Sequence, residues 1–131
     1  MFKKTKQIQD LNQQEISTII GLGFTITGTL TGKAVVRIDG TVNGNINITG
    51  GVILGEKGVI KGDIETASAI VYGTVNGNVK TQNLEIKKTG SVNGDIKTET
   101  IEIELGAQYN GKLEMNQLTK AEDKTTVKID L

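Results

Sequence analysis

Apolar and polar residues alternate along most of this chain, in short runs that end at glycines. In the clearest run, Val42, Ile46 and Ile48 share one parity, and polar residues and a glycine fill the positions between them. A period of two predicts β-strands with one face buried. A second apolar pair follows each such run, and these pairs are Ile70/Val71, Leu84/Ile86 and Ile101/Ile103.

The run recurs, and the recurrence predicts the fold. Copies of the form Gly-x-Val/Ile-x-Gly-x-Ile/Val start at Gly40, Gly58, Gly73 and Gly90, and a degenerate copy starts at Gln108. The second glycines of these copies, from 44 to 111, are separated by 18, 15, 17 and 17 residues. A short fixed period with several strands in each unit indicates a solenoid. We therefore predict an all-β, parallel, three-sided β-helix whose successive turns stack about 4.8 Å apart.

The start of the repeat is read from the segment Gly28-Thr-Leu-Thr-Gly32, taken as an earlier copy. This alignment makes the first turn only 12 residues long, from Gly32 to Gly44. It also puts Phe24 and Ile26 at the positions that Leu84 and Ile86 hold later. With this alignment the β-helix covers 19–115 in about six turns, between flexible tails at 1–18 and 116–131. Within the second tail, Thr126-Val-Lys-Ile-Asp-Leu131 alternates and is a candidate for an additional strand.

Stacking the copies predicts which side chains form columns. Two inward columns are expected, Val42/Ile60/Val75/Val92 and Ile46/Ile64/Val79/Ile96/Leu113. A column of glycines, 44/62/77/94/111, is expected to give the flanking β-branched residues room in a narrow interior. Two outward columns are expected, Asn43/Lys61/Asn76/Asn93/Asn110 and Asn47/Glu65/Lys80/Lys97/Glu114; the second pairs opposite charges at 65/80 and 97/114.

Composition excludes several classes of function. The 131 residues include no Cys and no His, which removes thiolate sites and the commonest general base and metal ligand. The formal net charge is zero, so no bulk field attracts nucleic acid. No apolar run approaches the ~20 residues that would span a membrane, and we expect a cytoplasmic protein. Gly at 17 positions without Pro suits regular strands with tight corners.

Motifs that resemble catalytic or ligand sites have simpler interpretations. Gly106-x4-Gly111-Lys112 approaches a phosphate-binding loop, but Leu113 and a strand follow where that motif needs Ser or Thr and a helix. Glu102 and Glu104 alternate with isoleucines, as expected of a solvated strand face. Asp63 and Asp95 share a column with two asparagines and a lysine, which does not suit a metal. We expect no cofactor, no metal and no enzymatic activity.

The repeat region resembles the bactofilins, a family of bacterial polymer-forming cytoskeletal proteins. The most specific stretches are Thr18-Ile-Ile-Gly-Leu-Gly23, Arg37-Ile-Asp-Gly-Thr-Val-Asn-Gly-Asn-Ile46 and Gly106-Ala-Gln-Tyr-Asn-Gly-Lys-Leu113. This resemblance implies a right-handed β-helix with flexible tails. It also implies nucleotide-free filaments that scaffold cell-shape or envelope machinery. Where the family often has Phe, this chain has Tyr109.

The ends of the predicted helix are the candidate contact sites. Each end leaves a coil of unpaired N–H and C=O groups, and neither end has an evident cap or a proline. Contacts between like ends would give a filament without polarity and contacts between unlike ends a polar one; the resemblance favours like ends. The expected interface residues are Leu22, Phe24 and Ile26 in the first coil and Tyr109, Leu113 and Met115 in the last.

The N-terminus is the candidate membrane site. Met1 and Phe2 are apolar, and Lys3, Lys4 and Lys6 could meet anionic headgroups at roughly 1 kcal/mol each. Some bactofilins have a similar membrane-binding start. A solvated basic tail is the alternative interpretation.

Two other functions compete with a structural homopolymer. One is an enzyme on a β-helix: the absence of His and of a strict six-residue period argues against a hexapeptide-repeat acyltransferase, and the short length and single Arg against a carbohydrate lyase. The other is a monomeric binding module that presents flat faces to a protein or carbohydrate partner.

Overall fold

The computed structural model describes residues 16–115, and residues 1–15 and 116–131 lie outside the described part. The described chain consists of short strands joined by tight corners. In chain order, the strands are β1 (Ile16–Ile20), β2 (Thr25–Thr27), β3 (Leu30–Gly32), β4 (Val35–Ile38), β5 (Thr41–Asn43), β6 (Ile46–Ile48), β7 (Gly51–Leu54), β8 (Val59–Lys61), β9 (Ile64–Val71), β10 (Thr74–Asn76), β11 (Val79–Ile86), β12 (Ser91–Asn93), β13 (Ile96–Thr98), β14 (Thr100–Ile103), β15 (Gln108–Asn110) and β16 (Leu113–Met115).

The strands wind into three faces, and every pairing between them is parallel. Face 1 is β2, β5, β8, β10, β12 and β15. Face 2 is β3, β6, β13, β16 and the first halves of β9 and β11. Face 3 is β1, β4, β7, β14 and the second halves of β9 and β11, which run around the corner between faces 2 and 3. The predicted all-β, three-sided parallel β-helix of about six turns is confirmed.

The core is a set of aliphatic columns inside the coil. On face 1, consecutive register pairs join Ile26, Val42, Ile60, Val75, Val92 and Tyr109 in one column. On face 2, a column runs from Leu30 through Ile46, Ile64, Val79 and Ile96 to Leu113. The middle members of both columns are buried. Both predicted inward columns are therefore correct, and each extends one coil further toward the N-terminus.

The structure of the first turn differs from the one predicted by aligning the internal repeats. Gly28, not Gly32, begins the glycine column, because its carbonyl lies where a Cβ on Gly44 would go and Leu30 is in register with Ile46. The first turn is therefore not short. Ile26 pairs with Val42 on face 1 and not with the face 3 column of Ile86. The first strand also begins at Ile16, three residues before the predicted start of the helix.

The glycine column has a different cause from the one expected. These glycines lie at the corner between faces 1 and 2, with φ of +123° at Gly28 and between +149° and +158° at the others. A Cβ on Gly77 would overlap the carbonyl oxygen of Gly62 in the coil above. Close stacking of backbone on backbone therefore requires glycine here, and the width of the interior does not.

The residue after each corner glycine forms a second ladder along the helix. The backbone N–H of Asp63 donates to the side-chain oxygen of Asn45 at 3.0 Å, and the same bond links 78 to 63, 95 to 78 and 112 to 95. Asn and Asp suit this position because their short side chains reach a neighbouring backbone N–H. The predicted asparagine column also hydrogen-bonds, from Asn93 to Asn76 at 3.0 Å and from Asn110 to Asn93 at 3.1 Å.

The predicted charge pairs are in register, but they do not form ion pairs. Glu65 lies opposite Lys80, and Lys97 lies opposite Glu114. Among residues 16–115, however, ion pairs join only Arg37 to Asp39 and Lys87 to Glu85 and Glu104. The predicted placement of opposite charges is therefore confirmed, and the pairs contribute little because long exposed side chains gain little from holding one geometry in water.

Candidate self-assembly interfaces

The N-terminal end is an open coil formed by β1, β2 and β3. Its outer strand edges have no partner within the described part of the chain. Leu22 and Phe24 are 66% and 68% exposed, in the corner turn between β1 and β2. Ile26 is half-buried because it packs on the core. Of the three residues predicted here, two are therefore free apolar side chains and one is the first member of the face 1 column.

The C-terminal end is the coil of β14, β15 and β16. Tyr109 and Leu113 pack against the core but remain half-exposed, and Met115 has a similar exposure. One coil further in, their counterparts Val92 and Ile96 are at most 1% exposed. Another coil stacked on this end would therefore remove the exposed part of the apolar surface from water.

Tyr109 also places a polar atom at this end. Its hydroxyl is buried and, within residues 16–115, has no hydrogen-bond partner. Burial raises the pKa of the Tyr109 phenol, and the nearby Asp95 carboxylate adds to the rise. The Ile96 backbone N–H, which already donates to the Lys112 carbonyl, opposes part of this rise.

Leu105 is an exposed residue at this end that the sequence analysis missed. It is 94% exposed in the turn between β14 and β15. Ile101, Ile103 and Ala107 of the same coil are also only half-buried. The available signal was the dipeptide Leu105-Gly106, which matches Leu22-Gly23 in the first coil.

The other motifs serve the coil itself. Gly111 is the last stacked corner glycine, and the backbone N–H of Lys112 donates to Asp95, so this segment is not a phosphate loop. The Glu104 carboxylate accepts the backbone N–H of Lys88 at 2.8 Å. Within residues 16–115, no group of three Asp, Glu, His or Cys side chains is placed to hold a metal ion.

The described residues also contain no helix long and apolar enough to cross a membrane. The predicted membrane residues Met1, Phe2, Lys3, Lys4 and Lys6 lie outside the described residues.

These features define the class of parallel β-solenoids whose two ends carry unpaired strand edges and exposed apolar side chains, a surface suited to further strand pairing. Comparison with known proteins agrees with this class. The family model "Bactofilin: Polymer-forming cytoskeletal" matches residues 18–114, and the chain belongs to the bactofilin family. This is a structural cytoskeletal family and not an enzyme family.

Individual relatives show the same likeness. Bactofilin BacP of Myxococcus xanthus (strain DK1622) is 32% identical over 75 residues, which are 56% of this chain and 31% of BacP. The match thus spans about a third of that relative. A cryo-EM reconstruction of Thermus thermophilus bactofilin double helical filaments has a TM-score of 0.68 at 25% identity, covering 74% of this chain and 99% of that chain. A solid-state NMR structure of the cytoskeletal bactofilin BacA has a TM-score of 0.71 at 28% identity, covering 79% and 99%.

Proposed function

We propose that this protein assembles end to end into filaments that need neither nucleotide nor metal. The observation that carries the proposal is that both terminal coils combine unpaired strand edges with exposed apolar side chains. In a soluble protein such edges are usually capped, charged or covered. The similarity to a filament-forming relative supports the same function.

The proposed contacts use the two ends separately. The N-terminal contact involves Leu22, Phe24 and Ile26 of two copies, and the C-terminal contact involves the last-coil residues of two copies. Each contact is isologous, so each residue is buried twice, and the filament has no polarity. The C-terminal residues are Tyr109, Leu113 and Met115, to which we add Leu105.

The filament is proposed to lie on the inner face of the cell membrane and to scaffold cell-shape or envelope processes. The support is the sequence of the N-terminus, where Met1 and Phe2 can enter the interface and Lys3, Lys4 and Lys6 can meet anionic headgroups. One such tail binds weakly, but a filament presents many tails at once and gains by multivalency.

Sedimentation and negative-stain electron microscopy of the purified full chain test this proposal. We expect filaments in buffer that contains EDTA and no nucleotide. Adding ATP, GTP or Mg²⁺ should change neither the yield nor the length. A 14 kDa monomer under all these conditions would contradict assembly and favour a binding module. Filaments that appear only with nucleotide or metal would contradict the proposed independence alone.

A further inference from the structure

Face 3 carries aliphatic side chains that point away from the core. Ile53 and Ile70 are register partners in the middle of this face. They share a column with Arg37 on one side and Glu85 on the other. Their chain neighbours on both sides point inward, so this column points outward. Val35, two residues before Arg37, has the same outward parity.

These three side chains form their own cluster, and they are buried. Val35, Ile53 and Ile70 are 4%, 1% and 4% exposed, whereas Ile19 in the same outward column is 61% exposed. Within residues 16–115, Tyr72 is the partly buried hydrophobic side chain that packs on them. We call Val35, Ile53 and Ile70 the outer cluster. An outward isoleucine on a single sheet keeps part of its surface in water unless something lies over it, so the outer cluster requires a cover.

We propose that the C-terminal segment 126–131 of the same chain lies over the outer cluster. Val127, Ile129 and Leu131 alternate there with Lys128 and Asp130. An extended segment with this pattern presents three aliphatic side chains to one side and its charges to the other. The proposal thus matches three apolar residues of the segment to three on the face.

The segment is long enough to reach the cluster from the end of the coil. Met115 pairs with Thr98, and β14 on face 3 begins two residues after Thr98, so the chain leaves β16 toward face 3. Counted from Met115, where the chain leaves the coil, Ile70 lies about three coils away and Val35 about five, which are about 14 and 24 Å at the usual strand spacing. The ten residues 116–125 can span up to about 33 Å. Residues 1–15 offer only Ile8 and Leu11 as aliphatic residues apart from Met1.

Thiol labelling tests the cover, because the chain has no cysteine of its own. In the full chain, Ile53→Cys should react slowly with a soluble maleimide. Deleting residues 126–131 should raise that rate by more than about tenfold, because a covered thiol reacts only on local opening. Leu54→Cys, which points inward, should stay protected in both forms and shows that the coil remains folded. Deleting residues 1–11 should leave Ile53→Cys protected.

Disulfide trapping then identifies which chain supplies the segment. After oxidation of full chains, Ser68→Cys with Ile129→Cys should give an internally linked monomer on denaturing gels. The matched pairs Ser68→Cys with Lys128→Cys, and Asn76→Cys on face 1 with Ile129→Cys, should link far less. The proposal is overturned if Ile53→Cys stays protected without 126–131, if it becomes reactive only without 1–11, or if the first pair links two chains.

Discussion

Leu22 and Leu105 occupy the same position in two equivalent turns at opposite ends of the β-helix. Each turn closes with a backbone hydrogen bond, from Phe24 to Gly21 at 3.1 Å and from Ala107 to Glu104 at 3.0 Å. The glycine after each leucine has positive φ, +90° at 23 and +102° at 106, as a type II turn requires. The turns at this corner in the interior coils carry Glu56-Lys57 and Lys88-Thr89 instead. Exposed leucines therefore mark this corner only in the terminal coils.

Leu105→Asp should weaken the C-terminal contact. Burying a leucine is worth about 1.5–3 kcal/mol, and a symmetric contact buries two. We expect the association constant to fall by at least about tenfold, because each 1.4 kcal/mol is a factor of ten. Sedimentation at graded protein concentrations measures this change. Lys57→Asp, at the same corner of an interior coil, is the matched control and should assemble normally; equal behaviour of the two variants would show that Leu105 lies outside the contact.

Tyr109→Arg should block assembly and leave the fold intact. The substitution places two guanidinium groups in one symmetric contact, unpaired and repelling each other. Tyr109 is the last member of the face 1 column, so the members from Ile26 to Val92 keep their neighbours in the coils before it. We expect a folded species no larger than a dimer, held by the N-terminal contact. Gln108→Arg, on the outward side of the same strand, should still form filaments.

The size of the Tyr109→Arg species also reports filament polarity. Contacts between like ends leave the N-terminal dimer intact, whereas head-to-tail contacts would leave only monomers. Analytical ultracentrifugation separates these outcomes. Long filaments of the variant would show that the C-terminal coil is not an assembly face.

Gly77→Ala should destabilise the coil itself. The new Cβ would overlap the Gly62 carbonyl, and φ at this position is +158°. We expect a loss of roughly 2–4 kcal/mol in the free energy of unfolding, measured by denaturant titration of an assembly-blocked form. Gly32→Ala is the control, because its Cβ would meet only the Ile48 side chain at 3.4 Å. Similar losses at both sites would refute close backbone stacking as the reason for the glycine column.

Deleting residues 1–6 should abolish co-sedimentation with anionic liposomes and leave filaments unchanged. The deletion removes Phe2 and the three lysines but no residue of the coil. Neutral liposomes and high salt serve as controls, because the lysine contribution is electrostatic. Undiminished binding by the deletion variant would contradict a membrane role for this segment.

The raised pKa of Tyr109 predicts a specific response to alkaline pH. Below the ordinary tyrosine pKa of about 10, the phenol is neutral in both folded and unfolded chains, so its contribution to stability is complete. As the pH rises through the folded-state pKa, that contribution is lost, because the unfolded chain releases the proton more readily. The difference in phenolate absorbance between the natural chain and Tyr109→Phe isolates this group. A Tyr109 midpoint at or below the ordinary value would contradict the burial of its hydroxyl.

The sequence predicts faces 1 and 2 well because their apolar residues alternate cleanly around a glycine. The column from Val42 to Val92 needed only this period and the repeat. Face 3 is harder, since Ala69, Ile70 and Val71 form a continuous apolar run. A period of two cannot assign such a run to one side, and Ile70 points outward although the sequence analysis grouped it with Val71.

The first turn of the β-helix and the residues exposed at its two ends were predicted less well. Gly28-Thr-Leu-Thr-Gly32 has the glycine spacing of a true copy, and its misalignment becomes visible only in the structure, where Gly28 stacks on Gly44 and Leu30 pairs with Ile46. Leu22 was predicted from its place in the first coil. Leu105 was missed because it precedes the final copy and lies in a turn, where exposure depends on the absence of a further coil.

The hydrogen bonds of the side-chain ladder from Asn45 to Lys112 all run in one direction, and the ladder ends at Lys112. Each member from 45 to 95 accepts an N–H from the coil that follows, but a lysine ammonium has no lone pair to offer a further coil. A second molecule placed head-to-tail would bring Thr29 of its first coil to this position and find no acceptor. Head-to-tail growth that continues the spiral would leave one backbone N–H without a side-chain acceptor at each junction, and this disfavours it. Each chain therefore ends this ladder after a fixed number of coils, and any longer assembly consists of a whole number of molecules.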